Sequence, residues 1–332
     1  MGHNDSTDSL RRMAGLGTPM ALRVAVTLGL PDRLSGDGAS VADLAVELSV
    51  SPIALELLTA HLETLGIVEH TTTGYRTTAY GANLCTSAGN GLTDLLHLDS
   101  AGGRAELAFV ELAHSIITGR AAYPQRYGRD FWADLAEHSP LRESFDRQMV
   151  NRLHAQIPCM VAGFEWSRFA TIIDVGGGTG TLLAAILTAY PHVAGHLIDL
   201  EPTAAQARRT FAERSLEHRA RVTAASFFDP LPTGGDAYLL MDILHDWDDE
   251  HADRILARCV EAAAPDSRIL IIEPVGDRRA STEFNLAMLA IFGSRERRIA
   301  EFRSLAAAHG LVLETVRDLA EQRCLLEFRM GR

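Results

Sequence analysis

Apolar positions along this chain fall into two regimes. Toward the N-terminus they recur at helical spacing: Leu22, Val26 and Leu30 share one face of a helix expected over Pro19 to Leu34. Ser40 is placed to cap a second helix that begins Val41-Ala42-Asp43-Leu44-Ala45. Ser51-Pro52 opens a third, which runs to Leu65 and stops at Gly66. Ile67-Val68-Glu69-His70 and Tyr75-Arg76-Thr77 flank a Thr-rich turn at Gly74 and read as a hairpin. Helices followed by a hairpin predict a winged helix. Residues 92 to 160 read as helical throughout, in the segments Leu92–Leu98, Arg104–Thr118, Phe131–Glu137 and Leu141–Val161.

From Trp166 onward the texture changes. Short apolar runs at Ile172–Val175, His196–Asp199, Arg221–Ala224, Ala237–Met241, Ile269–Glu273 and Leu325–Arg329 read as strands. Helical patterns near Leu182–Ala189, Thr203–Glu213, Asp249–Ala263 and Ile299–Ala308 lie between them. Strand–helix alternation predicts an α/β domain with a doubly wound, mostly parallel sheet. Such sheets bind ligands beyond the carboxyl ends of their strands, where Gly176, Asp199, Ser226, Asp242 and Glu273 fall.

The run Ile172-Ile173-Asp174-Val175-Gly176-Gly177-Gly178-Thr179-Gly180 carries the most information. It is a strand, a glycine-dense turn and the start of a helix. Glycine serves where the backbone takes a positive φ or a ligand lies against it. The helix N-terminus offers free N–H groups and the positive end of its dipole. The next strand ends at Asp199, roughly 20 residues on, where an acid can take a ribose diol. A nucleotide-like ligand fits both features, although dinucleotide enzymes use a similar turn.

The second dense cluster is Tyr238 to Asp249. His245 lies just beyond a strand end, on the ligand side of the sheet. A neutral imidazole there can take a proton from a phenol-type hydroxyl. Asp246 stands beside it, and Glu273 and Glu296 belong to segments able to converge on it; such acids fix the tautomer and raise basicity. A histidine packed for purely structural reasons is the plainer alternative. No HxxxH spacing appears, and no metal is expected.

Composition narrows the class. The 332 residues, 47% hydrophobic, are enough for two domains with substantial cores. No apolar run reaches the roughly 18 residues a membrane span needs, and Met1 to Arg12 lack the apolar core of a leader. Cys85, Cys159, Cys259 and Cys324 lie far apart, without a CxxC pair. They are expected as small buried apolar residues in a reduced, cytoplasmic protein. A formal charge of −12 argues against a nucleic-acid binder. The third helix carries Glu56 and Glu63 and no arginine to meet phosphate, so the N-terminal module is read as a dimerisation surface. The chain has no lysine, which excludes a Schiff-base lysine and a Walker-type phosphate loop.

Four motifs together carry a resemblance: D-V-G-G-G-T-G at 174–180, F-F-D-P-L-P at 227–232, Y-L-L-x-x-I-L-H-D-W-D-D at 238–249 and G-x-R-E-R at 293–297. In that order they resemble the S-adenosylmethionine-dependent O-methyltransferases of the caffeate and phenolic type. The stretch Gly17 to Ala25 is similar to the bacterial anthracycline-type members, which tailor natural products. The resemblance implies a winged-helix dimerisation domain over 1–95, a helical linker and pocket wall over 96–160, and a Rossmann-like cofactor domain over 161–332. It implies a homodimer, with no nucleic-acid or membrane partner. Position by position, it implies that Asp174, Gly176, Gly178, Asp199, Leu200, Ser226, Phe227, Met241 and Trp247 hold S-adenosylmethionine. His245 would be the base, flanked by Asp246, Glu273 and Glu296. Phe131, Trp132, Met149, Asn285, Met288 and Phe292 would wall a pocket for an aromatic or polyketide-like acceptor.

Two positions depart from the family. Ser226 stands where an aspartate usually bonds the adenine amine, and Met241 where phenolic members have a lysine. Serine accepts one hydrogen bond without the charge, a loss of roughly 1–2 kcal/mol. Some relatives keep the cofactor and carry out hydroxylation or cyclisation instead, so non-methylating chemistry is the alternative. A ligand-sensing winged-helix regulator is the third reading, disfavoured by the acidic charge.

Overall fold

The computed structural model describes residues 2–278, 280–320 and 322–331, with side chains from residue 7 onward. They form two compact units: 1–107 with 139–151, and 108–138 with 152–332. The helical stretch 96–160, expected as a linker of its own, is divided between the two.

In the first unit the expected elements appear, except that the helix expected over Pro19 to Leu34 is broken in two at Gly29, whose φ is 63°. Helices span Gly17–Thr27, Leu30–Arg33, Val41–Leu48 and Pro52–Thr64. The Ser40 Oγ accepts the Asp43 N–H at 3.1 Å and the Ser51 Oγ accepts that of Ala54 at 3.4 Å, the caps the sequence called for. The hairpin pairs β1 (Val68–Thr71) with β2 (Gly74–Thr77). Val26, Leu30, Leu44, Leu55 and Leu62 fill its core. Other apolar side chains point to solvent, with Leu10, Met13, Leu16, Ile53 and Leu57 all at least 66% exposed.

The second unit is built on a seven-stranded sheet. Its strands are β3 (Thr171–Val175), β4 (Ala194–Asp199), β5 (Ala220–Ala224), β6 (Ala237–Met241), β7 (Arg268–Glu273), β8 (Leu311–Ala320) and β9 (Arg323–Met330), in the order β5-β4-β3-β6-β7-β9-β8. β5 through β7 are parallel; β9 joins antiparallel to β7 and to β8. Burial on both faces explains why β3 and β6 read as unbroken apolar runs. Ile172, Leu197 and Leu239 pack on one face, Ile173, Ile198 and Leu240 on the other. At Gly195, an added Cβ would meet the Leu183 side chain at 2.9 Å. The missing side chain lets the helix Thr181–Ala189 rest on β4, which sets its N-terminus over the glycine turn. The order reverses between β3 and β6, the switch point at which open α/β sheets take ligands.

Four elements differ from expectation. β8 is an edge strand with two register irregularities, and Glu314, Arg317 and Asp318 blur its alternation. The helix Thr282–Phe292, capped by Ser281, is apolar on nearly every side and shows no helical period. Arg104–Thr118 is interrupted by a 3₁₀ turn at Ala108–Glu111. Leu141–Val161 breaks into Ser139–His154 and Ile157–Ala162, where Pro158 lacks an N–H to continue the first helix. Cys85, Cys259 and Cys324 are buried as expected; Cys159 is exposed. Among the described residues, no helix is long and apolar enough to cross a membrane.

Candidate active site

The glycine turn after β3 is organised by carboxylates beneath and beside it. Gly176, Gly178 and Gly180 take φ of 71°, 59° and 77°, values that disfavour any other residue. An added Cβ at Gly177 would strike the Asp174 carboxyl at 2.5 Å, so Asp174 sits under the turn. Burial, and then the charge of Asp199, push the Asp174 pKa up to about 7. The Gly178 N–H donates to Asp199 Oδ2 and the Leu200 N–H to Oδ1, each at 2.8 Å. Nothing lies within 4 Å of a Cβ at Gly178, which leaves the turn open. The helix Thr181–Ala189 starts without a side-chain cap. Open backbone, a helix N-terminus and an oriented acid fit the adenosyl cofactor of the resemblance.

Phe227 and Trp247 meet edge to face at 6.0 Å. Ser226 and Met241 are half-buried, and Leu200 is exposed. The Ser226 Oγ accepts the Phe228 N–H at 3.2 Å, so its hydroxyl turns the local backbone.

His245 lies in a 3₁₀ turn, Leu244–Asp246, after β6. Its ring is buried, with Nδ1 3.2 Å from Glu296 Oε1 and Nε2 3.5 Å from Asp246 Oδ1. Burial is the largest influence on the imidazole and would lower its pKa. The charges of Asp246 and Glu296, the hydrogen bond to Glu296 and the charge of Glu273 outweigh it, and the net shift is upward. Asp246 is itself pushed up, first by burial, with Asp242 and Glu296 adding to it. Glu273 acts otherwise than as an acid against the ring. Its Oε1 accepts the backbone N–H groups of Ile243, Leu244 and His245 at 3.1, 2.5 and 3.3 Å. It anchors the turn.

Arginines that sequence reasoning passed over complete the site. Arg297 donates to the carbonyls of Leu244, at 2.5 Å, and Trp247, at 2.8 Å, and pairs with Asp249. It thus clamps both ends of the His245 turn. Arg323 donates to Asp242 at 2.6 Å and holds that residue at a φ of 52°. The Asn285 Oδ1 accepts the Glu296 N–H at 2.9 Å and so fixes the partner of His245. Arg152 lies over the Phe284 ring, which is 6.3 Å from the His245 ring. Arg297 lies in the G-x-R-E-R motif without a role assigned to it, and no sequence signal marked Arg152 or Arg323, because isolated arginines read as surface charge.

The expected wall residues in this unit come together. Trp132 stacks near Phe292 at 5.6 Å and Trp247 at 6.3 Å, and Phe131 meets Phe292 edge-on at 5.2 Å. Phe131 and Met288 are buried and back the wall; Trp132 and Phe292 are half-exposed. Met149 lies in the first unit and is half-buried. The depression lined by Arg168, Asp236, Asp266 and Arg268 is at the amino ends of β3, β6 and β7, remote from this chemistry.

Comparison with known proteins agrees with the motifs. The model of the O-methyltransferase domain matches residues 109–312 and that of the O-methyltransferase dimerisation domain residues 10–87. A 2,7-dihydroxy-5-methyl-1-naphthoate 7-O-methyltransferase of Streptomyces carzinostaticus is 41% identical, covering 96% of this chain and 97% of the relative. The aclacinomycin 10-hydroxylase RdmB of Streptomyces purpurascens is 38% identical, covering 93% and 85%. The solved O-methyltransferase NcsB1 from neocarzinostatin biosynthesis, in complex with S-adenosylmethionine and 2-hydroxy-5-methyl naphthoic acid, superposes with a TM-score of 0.91 at 40% identity, covering 97% of this chain and 98% of the other.

Replacing Asp199 by alanine removes the diol acceptor and one tie across the turn. Calorimetric titration with S-adenosylhomocysteine should show affinity about 10- to 100-fold weaker. Unchanged affinity, or tighter binding of NAD, contradicts the assignment.

Proposed function

The chain belongs to the S-adenosylmethionine-dependent O-methyltransferases, and from that premise we propose that it methylates a hydroxyl of an aromatic or polyketide-like acceptor, with His245 as general base. The buried contact of His245 Nδ1 with Glu296 carries this reading. Nδ1 is held by Glu296 at 3.2 Å, whereas Asp246 stands back at 3.5 Å from Nε2, so Nε2 is the nitrogen we assign to take the proton.

The cofactor supplies a methyl group already activated by its sulfonium centre. The chain's own task is to align the acceptor oxygen and remove its proton. An aryl hydroxyl titrates near 10, like tyrosine, whereas an ordinary imidazole titrates near 6.5. Proton transfer between them would be uphill by about 5 kcal/mol. Glu296 and Asp246 stabilise the imidazolium and narrow that gap. The consequence is that His245 rests protonated near neutrality. Productive complexes must shed one proton, so the rate grows as pH rises.

RdmB, a hydroxylase at 38% identity, is a reason to keep the non-methylating alternative in view. The catalytic pairing of His245 and Glu296 supports methyl transfer, since it provides the base that a hydroxyl acceptor needs. For assembly, we propose a homodimer. The matched dimerisation domain supports it, as do Ile53 and Leu57, which stand one turn apart and exposed on the helix Pro52–Thr64. Buried free cysteines suit a reducing compartment.

His245→Ala should lower kcat on a hydroxynaphthoate acceptor by about 10²–10⁴-fold, with cofactor affinity nearly unchanged. In the wild type, kcat/KM should keep climbing above pH 8. Glu296→Gln removes a charge that favours imidazolium, so its ascending limb should shift to lower pH. A wild-type profile that levels off near pH 6.5, or full kcat in His245→Ala, overturns the base assignment. Sedimentation should show a dimer at micromolar concentration, and Ile53→Glu with Leu57→Glu should weaken it. A wild-type monomer contradicts the proposed assembly.

A further inference from the structure

The cations around His245 are accounted for, with one exception. Arg323 is bound to Asp242, Arg297 to Asp249 and two carbonyls, and the imidazole to Glu296. Arg152 is half-buried and feels the charges of Asp242, Arg323, Glu296 and Asp246. Among the described residues, its guanidinium makes no hydrogen bond and no ion pair. Its one described contact is the Phe284 ring, with the guanidinium carbon 4.5 Å from the ring centroid. Stacking on a face leaves the edge donors of a guanidinium free, and those donors match a carboxylate bidentately.

The position relative to the base is equally specific. Phe284 neighbours both groups, its ring centroid 4.5 Å from the guanidinium carbon and 6.3 Å from the imidazole, so guanidinium and imidazole are at most about 11 Å apart. A flat aryl acid spans such a gap, with its carboxylate on Arg152 and its hydroxyl on His245. Electrostatics restricts what else could enter. Asp242, Asp246, Glu273 and Glu296 make this end of the sheet acidic, and an anionic acceptor needs a cation that is not already spent on them. Burial, the largest influence on Arg152, disfavours its charge, and an incoming anion would relieve that.

We propose that Arg152 is the receptor for an acceptor carboxylate, and that the acceptor is a hydroxyaryl carboxylic acid rather than a neutral phenol. This rests on the methyl-transfer reading for the role of the hydroxyl, but the carboxylate contact itself is measurable without turnover. Phe284 sets the height of the guanidinium, and the helix Thr282–Phe292 that carries it also carries Asn285, which fixes Glu296. The ring under Arg152 and the residue that fixes Glu296 therefore come from one helix.

The test compares a hydroxynaphthoic acid with the corresponding naphthol lacking the carboxylate, each titrated into enzyme saturated with S-adenosylhomocysteine. The wild type should prefer the acid by about tenfold or more, the range of a charge-assisted bidentate pair. Arg152→Gln should abolish the preference, Arg152→Lys should restore part of it, and all variants should bind S-adenosylhomocysteine as the wild type does. No preference in the wild type, or a preference that survives Arg152→Gln, overturns the proposal. Should Arg152→Gln fail to fold, Phe284→Leu, which removes the stacking face, should reduce the preference, and a full preference in that variant overturns it. If the wild type binds the acid through Arg152 yet methylates nothing, the transfer reading fails and the carboxylate site stands.

Discussion

The pairing of His245 with Glu296 inside the protein is the interaction on which the site depends. Both side chains are nearly inaccessible, 4% and 0% exposed, with Nδ1 and Oε1 3.2 Å apart. Removing one partner of such a pair leaves a buried charge alone, at about 3–5 kcal/mol. The surroundings therefore have to hold both partners rigidly. Glu273 does so from below through three backbone N–H groups. Arg297 does so from the side through the Leu244 and Trp247 carbonyls, Ser294 through the His245 carbonyl, and Asn285 through the Glu296 backbone. The His245 ring is thus fixed by elements from β6, β7 and the helix Thr282–Phe292, all meeting at the carboxyl end of the sheet.

The sheet topology brings the second half of the site to the same edge. The chain leaves β3 through the glycine turn, lays down β4 and β5 on one side, and returns to β6 on the other. Gly178 and Asp199 then face the same crevice as the His245 turn, and Trp247 connects the Phe227 side to the Trp132 wall. The glycine turn and the His245 turn become neighbours because of strand order, without any long connecting loop.

Much of this was legible in the sequence. Asp174-Val175-Gly176-Gly177-Gly178 and His245-Asp246-Trp247 are local signals: each places its chemistry within a few residues of a strand end, where periodicity and glycine spacing can be read. The convergence of Glu296 on His245 was raised by the acids of neighbouring segments and placed by the ordered motifs of the resemblance. Other features were hidden for physical reasons. The helix Thr282–Phe292 has no polar face to produce a period, and β8 is an edge strand whose alternation is broken by register shifts. Glu273 was expected against the ring because an acid in that place suggests a charge partner; the structure gives its oxygen to backbone donors instead. Arg152 and Arg323 reach the site from distant positions, and an arginine in isolation looks the same whether it is solvated or buried.

Selective isotope labelling of histidine and NMR titration of the His245 imidazole, with His245→Gln to assign its signal, tests the central claim most directly. Held between Glu296 and Asp246, the ring should remain protonated beyond pH 8, while exposed histidines titrate near 6.5. A His245 ring that loses its proton at or below pH 6.5 would contradict the acid-stabilised base.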